Sequence, residues 1–342
     1  MSTLKPIVSV VLPLYNAANY IGLAVDSILK QSLTNFELII IDDCSTDGSF
    51  EIVNQIVDSR INLIRNKSNL GLNSTLNYAL SLAKGKYIAR MDHDDISLPN
   101  RFEIQVDFLE KNLDYILVGC NCDVIDGAGK VYINSSLKKF DDNYLKSILF
   151  FACPFVHPSI MIRRSILDQY SINYNQEIKQ AEDYVLYCTI AKFGKFFSTS
   201  SVLFQYREHF SIDRGTSSKN KNAIIQGRFI AWRIILDQFN INPSNEVLQL
   251  HDKLCYYHNE IDISDYQYVN EYLLLLKNLK SLNNNLNIYN KYFFNQNISN
   301  RCYSMSKTLL EKKAIGWNSL ITQFPLLSLN QFCKILIFSI KN

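Results

Sequence analysis

The chain predicts an α/β fold: a mainly parallel sheet flanked by helices over residues 1–215, then a helical C-terminal region over 216–342. Three observations carry this. Over residues 1–95, β-branched apolar runs alternate with segments of helical periodicity, the pattern of a parallel sheet crossed over by helices. A polar or acidic cluster follows three of the runs, and ligands of such sheets sit beyond the carboxyl ends of the strands. From about Thr216 the chain turns to long helical stretches rich in Tyr, Leu and Asn, with no glycine between Arg228 and Gly316.

Residues 7–12 form a continuous β-branched run, as a central parallel strand requires. Residues 20–31 place Ile21, Ala24, Val25, Ile28 and Leu29 on one helical face. A second buried strand is expected at 36–41, a helix at 50–57 and a short strand at 61–64. A helix over 72–84 is expected to end at Gly85 as a left-handed cap, before a strand at 87–91. Beyond it, 114–119, 130–133, 159–162 and 202–206 read as strands and 181–192 as a helix, while the Asn-rich 282–300 reads as a loop or frayed helix.

The polar tips are Pro13-Leu14-Tyr15-Asn16, residues 42–48 and residues 92–95. Asp92-His93-Asp94-Asp95 sets three carboxylates within four residues at the end of a buried strand, where like charges repel strongly. A cation resolves that conflict. Oxygen ligands suit a hard divalent ion, Mg²⁺ or Mn²⁺, held partly through substrate phosphates. The competing explanation is a solvated turn, with Asp95 capping a helix that starts near Pro99. Convergence of three tips on one rim favours a ligand site over three unrelated turns.

Composition narrows the function. A net charge of +3 lacks the clustered basic face that nucleic acid demands. Hydrophobic residues at 47% support a sizeable core. No G-x-G-x-x-G follows the first strand, which argues against a dinucleotide-dependent oxidoreductase. Eight scattered cysteines, with Cys120-Asn121-Cys122 lacking a second pair, point to reduced thiols and a cytoplasmic location. Neither a signal peptide nor a run of membrane-spanning length is expected.

The spaced set Val10–Asn16, Gln31-Ser32, Phe36–Ser49, Asn69-Leu70-Gly71-Leu72, Gly85–Asp95, Pro99-Asn100-Arg101 and Glu182-Asp183 resembles an inverting family 2 glycosyltransferase of the GT-A fold, over about residues 5–210. The resemblance implies nucleotide-sugar binding by 1–95 and an acceptor side in 96–215. It implies that Asp43 reads a uracil ring, that Pro13, Tyr15 and Asn16 line the pocket, and that Asn69, Gly71 and Asn73 border it. Turn chemistry is the competing role for Asp43 and Asp47, the latter as a cap. The arginine that many relatives carry in the third helix is missing, and Arg65 or Arg90 is the substitute. The D-x-D pair implies Asp94 as direct metal ligand and Asp92 on ribose or a metal water, with His93 a spacer and His209 a further ligand. Asp183 is implied as catalytic base, against the alternative that it and Glu182 merely favour a helix N-terminus. His157, Arg207 and Glu182 fall to the acceptor side.

The implied reaction is metal-dependent transfer from a UDP-sugar to a glycan, or to a polyprenyl-diphosphate-linked glycan, in assembly of a bacterial surface polysaccharide such as O-antigen or capsule. The alternatives are a nucleotidyltransferase, disfavoured by the absence of a Gly-rich loop after the first strand, and an inactive sugar-nucleotide-binding scaffold. Residues 301–342 carry six basic residues against Glu311 alone, interleaved with apolar ones such as Trp317, Phe324 and Leu336. That pattern fits peripheral contact with the cytoplasmic face of the inner membrane, or a helical subdomain packing its apolar face.

Overall fold

The computed structural model describes residues 5–135, 137–209, 218–257, 260–261 and 263–311. The chain begins β1 (Val8–Leu14), α1 (Ile21–Leu29), β2 (Phe36–Asp42), α2 (Ser49–Asn54), β3 (Ile61–Arg65), α3 (Leu72–Leu82) and β4 (Tyr87–Arg90). It continues with β5 (Ile96–Ser97), α4 (Arg101–Lys111), β6 (Tyr115–Ile125), β7 (Val131–Ile133), α5 (Asp142–Ser147), β8 (Met161–Arg163), α6 (Arg164–Gln169), α7 (Glu182–Ile190) and β9 (Lys195–Arg207). Helices α8 (Ser218–Asp237), α9 (Asn245–Tyr256), α10 (Val269–Leu286) and α11 (Lys291–Glu311) follow.

The strands make one sheet in the order β3-β2-β1-β4-β8-β6-β9-β5, with β7 beside β6. β1 sits between β2 and β4, parallel to both, and all seven of its residues are buried. Both its faces are covered, so a β-branched run without polar alternation is the pattern it needs. Beyond β4 the sheet is mixed: β8 runs antiparallel to β4 and β6, whereas β6 and β9 pair in parallel. Of the predicted face of α1, Ile21, Ala24, Val25 and Ile28 are buried in the same core as Val10, Leu12 and Leu38, and Leu29 packs against it partly buried.

Several elements differ from expectation. α2 stops at Asn54 rather than 57. β6 and β9 extend well past 114–119 and 202–206, because their pairing shifts register near Gly119–Cys122 and carries polar residues that broke the apolar pattern. Gly85 is not a left-handed cap; α3 ends at Leu82 on extended Ala83. Its role is close approach, since a Cβ there would lie 2.5 Å from the Ser9 amide nitrogen. The Asn-rich stretch is a helix–turn–helix: α10 closes on left-handed Asn287, and the buried Asn283 amide bonds both N–H and C=O of Tyr289.

Among the described residues, those up to 142 together with 155–224 form one compact unit, and 143–154 with those from 225 onward form another. Inside the helical unit His251 is fully buried, bonded to Tyr272 Oη at 2.8 Å and Phe150 O at 2.6 Å. His258 and residues 312–342, most of the basic and apolar tail, lie outside the described residues. No helix among the described residues is long and apolar enough to cross a membrane.

Candidate active site

A cavity of about 340 Å³ opens where β1, β2 and β4 end, lined by Pro13, Leu14, Tyr15, Asp43, Asn69, Gly71, Leu72, Thr75, Asp92 and His93. The three polar tips therefore converge, as the strand-end rule requires. Their backbones are held by one another's side chains. Asn16, left-handed at φ 47°, accepts from Thr46 N at 2.9 Å, while its own N–H donates to Ser45 Oγ at 3.0 Å. Ala17 N donates to Ser49 Oγ and Ala18 N to Asp47 Oδ2. Asp47 also accepts from Ser49 N, at the start of α2. Asn16 thus locks two loops together and is not among the cavity residues.

Asp43 is buried beneath the cavity. Its Oδ1 accepts from Asn66 Nδ2 and Leu70 N, each at 2.8 Å, and its Oδ2 accepts from Gly71 N at 2.8 Å. A carboxylate offers about four acceptor positions. Three hold the 66–71 loop, which leaves one on Oδ2. Gly71 supplies the positive φ of 85° that turns its N–H toward this carboxylate at the start of α3. Asn73 does not border the cavity: its amide is buried and donates to Asn175 O and Ile178 O. Asp42 supports the loop instead, pairing with Arg65 Nε at 3.1 Å and accepting from Ser45 N. Arg65 is spent on that contact.

After β4, Arg90 is buried and ion-paired with Asp92. Asp94 Oδ2 lies 2.8 Å from His209 Nε2. Asp95 does not cap α4. Its fully buried carboxyl accepts from Arg207 N at 2.7 Å, and burial together with Asp92 and Asp94 pushes its pKa well up. Arg207 is also buried: its Nε donates to Asp94 O at 2.6 Å, its guanidinium bonds Asp126 O and Gly127 O, and it covers the Tyr20 ring. It fixes the Asp94 backbone. Arg101, another buried arginine, ties Arg90 O to Ile160 O and so fixes the end of β4.

The Asp94–His209 pair fits a divalent cation. Two cis ligands of an octahedral ion at about 2.1 Å stand about 3 Å apart, close to the separation here. Among the described residues no three His, Cys, Asp or Glu side chains group as metal ligands, so any further ligands of such an ion would come from substrate or water.

At α7, Ala181 adopts φ 64° and delivers Glu182 and Asp183 in the helix's first turn. A left-handed non-glycine residue costs about 1–2 kcal/mol, which the surrounding structure must offset. Asp183 Oδ1 accepts from Tyr184 N at 2.7 Å. Glu182 is nearly buried, and burial, the Asp183 charge and the Asp92 charge raise its pKa to about 7, against the pull of Arg90. His157 lies 3.7 Å from Glu182 and bonds Tyr174 Oη at 2.8 Å. Burial and Arg90 hold His157 neutral, so this contact is not an ion pair. His157 is buried beside Glu182. Arg90 is ion-paired with Asp92, and its charge also lowers the Glu182 pKa and holds His157 well below the usual imidazole range.

An acid whose folded pKa lies above its ordinary 4.5 contributes most below pH 4.5, and the contribution is lost as pH rises through about 7. Glu182→Gln removes that loss. The variant is expected to unfold like the parent chain at pH 4 and to gain about 3 kcal/mol over it at pH 8, read from urea titrations.

Residues 9–171 match the sequence profile of Glycosyl transferase family 2. An uncharacterized glycosyltransferase of Methanocaldococcus jannaschii, MJ1057, is 34% identical over 208 residues, covering 59% of this chain and 71% of its own. The chain belongs to glycosyl transferase family 2. An uncharacterized glycosyltransferase of Haemophilus influenzae is 33% identical over 213 residues, covering 60% of this chain and 66% of its own length. TuaG of Bacillus subtilis, a glycosyltransferase whose name assigns it provisionally to teichuronic acid biosynthesis, is 39% identical over 130 residues, 37% of this chain and 52% of its own. The chain therefore spans between half and two thirds of these two relatives. S. aureus TarS 1–349 in complex with UDP-GlcNAc shares the fold at TM-score 0.61 and 17% identity, over 88% of each chain. Of the family 2 motifs, those that supply Pro13, Leu14, Tyr15, Asp43, Asn69, Gly71, Leu72, Asp92 and His93 line the cavity. Thr75 lines the cavity and carried no local signal in the sequence, and His93, expected as a spacer inside D-x-D, lines it too.

Proposed function

We propose that this family 2 chain transfers a sugar from a UDP-sugar to a hydroxyl of a glycan, lipid-linked or free, with inversion at the anomeric carbon. The observations that support this are a nucleoside-sized cavity at the ends of β1, β2 and β4, the Asp94–His209 pair, and a Glu182-Asp183 turn whose Glu182 feels the charges of both Arg90 and Asp92. The free acceptor position of Asp43 suits the imide N–H of uracil, and Tyr15 and Leu14 give the base an apolar wall. Asp94 and His209 would hold Mg²⁺ or Mn²⁺, which stabilises negative charge on the departing diphosphate. Asp92, oriented by Arg90, accepts from ribose or a metal-bound water. Asp183 takes the acceptor hydroxyl's proton as that oxygen attacks from the face opposite the diphosphate. The name of TuaG supports a role in bacterial surface polysaccharide assembly, and the basic, apolar tail supports attachment to the cytoplasmic face of the inner membrane.

A thermal-shift series with UDP-, GDP- and CMP-sugars, each with and without Mn²⁺, tests the donor and the metal together. UDP-sugars are expected to raise Tm by several degrees only with Mn²⁺, since saturation at 100 times Kd adds about 2.7 kcal/mol. An equal shift with GDP-sugars, or a full shift in EDTA, contradicts the reading.

A further inference from the structure

We propose that Asn73 and Asn77, one turn apart on α3, are positioning residues for transfer: they hold the 174–178 segment and through it set the carboxylate of Asp183. The proposal rests on the reading of Asp183 as the base and deepens it.

The two asparagines stand four residues apart and so share one face of α3. Asn73 Nδ2 donates to Asn175 O at 2.8 Å and to Ile178 O at 2.6 Å. Asn77 Nδ2 donates to Tyr174 O at 2.8 Å, and its Oδ1 accepts from Tyr174 N at 2.8 Å. Giving and receiving on one residue's backbone takes an amide; a carboxylate of the same shape loses the donor. The held segment leads into Ala181, whose left-handed φ of 64° delivers Glu182 and Asp183. A residue with a Cβ keeps that conformation only where its surroundings over-determine it. The four amide bonds supply part of that constraint. Another part comes from Tyr174, whose Oη bonds His157 Nε2 at 2.8 Å, with His157 beside Glu182. The start of α3 is anchored at the nucleotide pocket: Leu70 and Gly71, its N-cap, donate to Asp43, and Thr75 on the same helix lines the cavity. One helix thus carries the donor pocket at its start and the acid turn on its flank. Reacting groups must be held to about 0.5 Å, which a helix does better than a loop. Neither asparagine lines the cavity, so each can act on transfer without touching the donor.

The test uses the full chain with Mn²⁺ and a mixture of UDP-glucose, UDP-galactose, UDP-GlcNAc and UDP-GalNAc, and reads the UDP released when water takes the acceptor's place. Asn73→Ala and Asn77→Ala are each expected to slow release by about ten- to a hundredfold, the cost of moving a reacting group by about 1 Å. UDP affinity by calorimetry should stay within about twofold of the parent, since the change falls on chemistry and not on binding. Asn77→Gln, which still donates and accepts, should recover part of the loss. In an Asp183→Asn background the alanine substitutions should change the rate by less than about twofold, because a base already removed cannot be misplaced. Asn77, only half-buried, carries the test alone if the buried Asn73 does not tolerate alanine. Losses of equal size in both backgrounds, rates at the parental level in the alanine variants, or UDP affinity falling in step with the rate would each overturn the positioning role alone. An Asp183→Asn chain as fast as the parent would overturn the reading of Asp183 as base, and a parent chain that releases no UDP would overturn the donor reading; this proposal falls with either.

Discussion

Asp183→Asn is expected to slow sugar transfer by about a thousandfold and leave UDP affinity unchanged. The attacking hydroxyl is a poor nucleophile until its proton is removed, and a positioned base contributes about 10²–10⁴ in rate. Asparagine is nearly isosteric with aspartate, and its Oδ1 can still accept from Tyr184 N, the 2.7 Å bond that holds the side chain in the first turn of α7. What it loses is proton affinity. The decisive comparison is with Glu182→Gln, one residue away. Glu182 is nearly enclosed and rests on His157, so it is built to shape the turn rather than reach a substrate. A small rate loss in Glu182→Gln beside a large one in Asp183→Asn places the base at 183. The reverse order moves it to Glu182, whose pKa of about 7 would then be the functional one. Single-turnover rates with saturating donor separate chemistry from binding in both variants.

The half of the sheet that carries the cavity was legible because its code is local. Fully buried parallel strands are written as unbroken β-branched runs, and β1, β2 and β4 begin and end within two residues of the expected places. The tips were legible as a set, since acidic clusters at strand ends cannot be explained by core packing. Individual roles were less so. Asn73, Asn16 and Arg207 looked like ligand contacts because polar residues next to a site usually are. Their partners turn out to be backbone groups of loops distant in sequence: the 175–178 loop for Asn73, the 45–46 turn for Asn16, and Asp94 O with the 126–127 turn for Arg207. A site built on loops needs such clamps, and a clamp has the same composition as a contact. Gly85 misled for a related reason: glycine after a helix suggests a cap, whereas the Ser9 backbone beside it demanded a missing Cβ.

Arg90→Met is expected to destabilise the chain by about 3–5 kcal/mol near neutral pH, by stranding carboxylates that now share one buried cation. Burial opposes the Arg90 charge, yet Asp92, Tyr174 and Glu182 together hold its pKa above the ordinary value, so the guanidinium is a counterion rather than a packing filler. Methionine fills similar space and removes a buried Nε that has no hydrogen-bond partner, a gain that moves the loss toward the lower figure. The dependence on pH distinguishes lost charge from lost packing. Without Arg90, the Glu182 carboxyl loses the one influence from its surroundings that lowers its pKa through opposite charge, so that pKa climbs further above about 7. A raised folded pKa gives stability that is complete below the unfolded value and disappears as pH rises. The gap between Arg90→Met and the parent chain should therefore widen from pH 5 to pH 8. A packing defect would leave it constant across that range. Denaturant titrations at the two pH values measure the gap directly, and a constant gap would show that Asp92 and the Glu182-Asp183 turn do not depend on a shared cation.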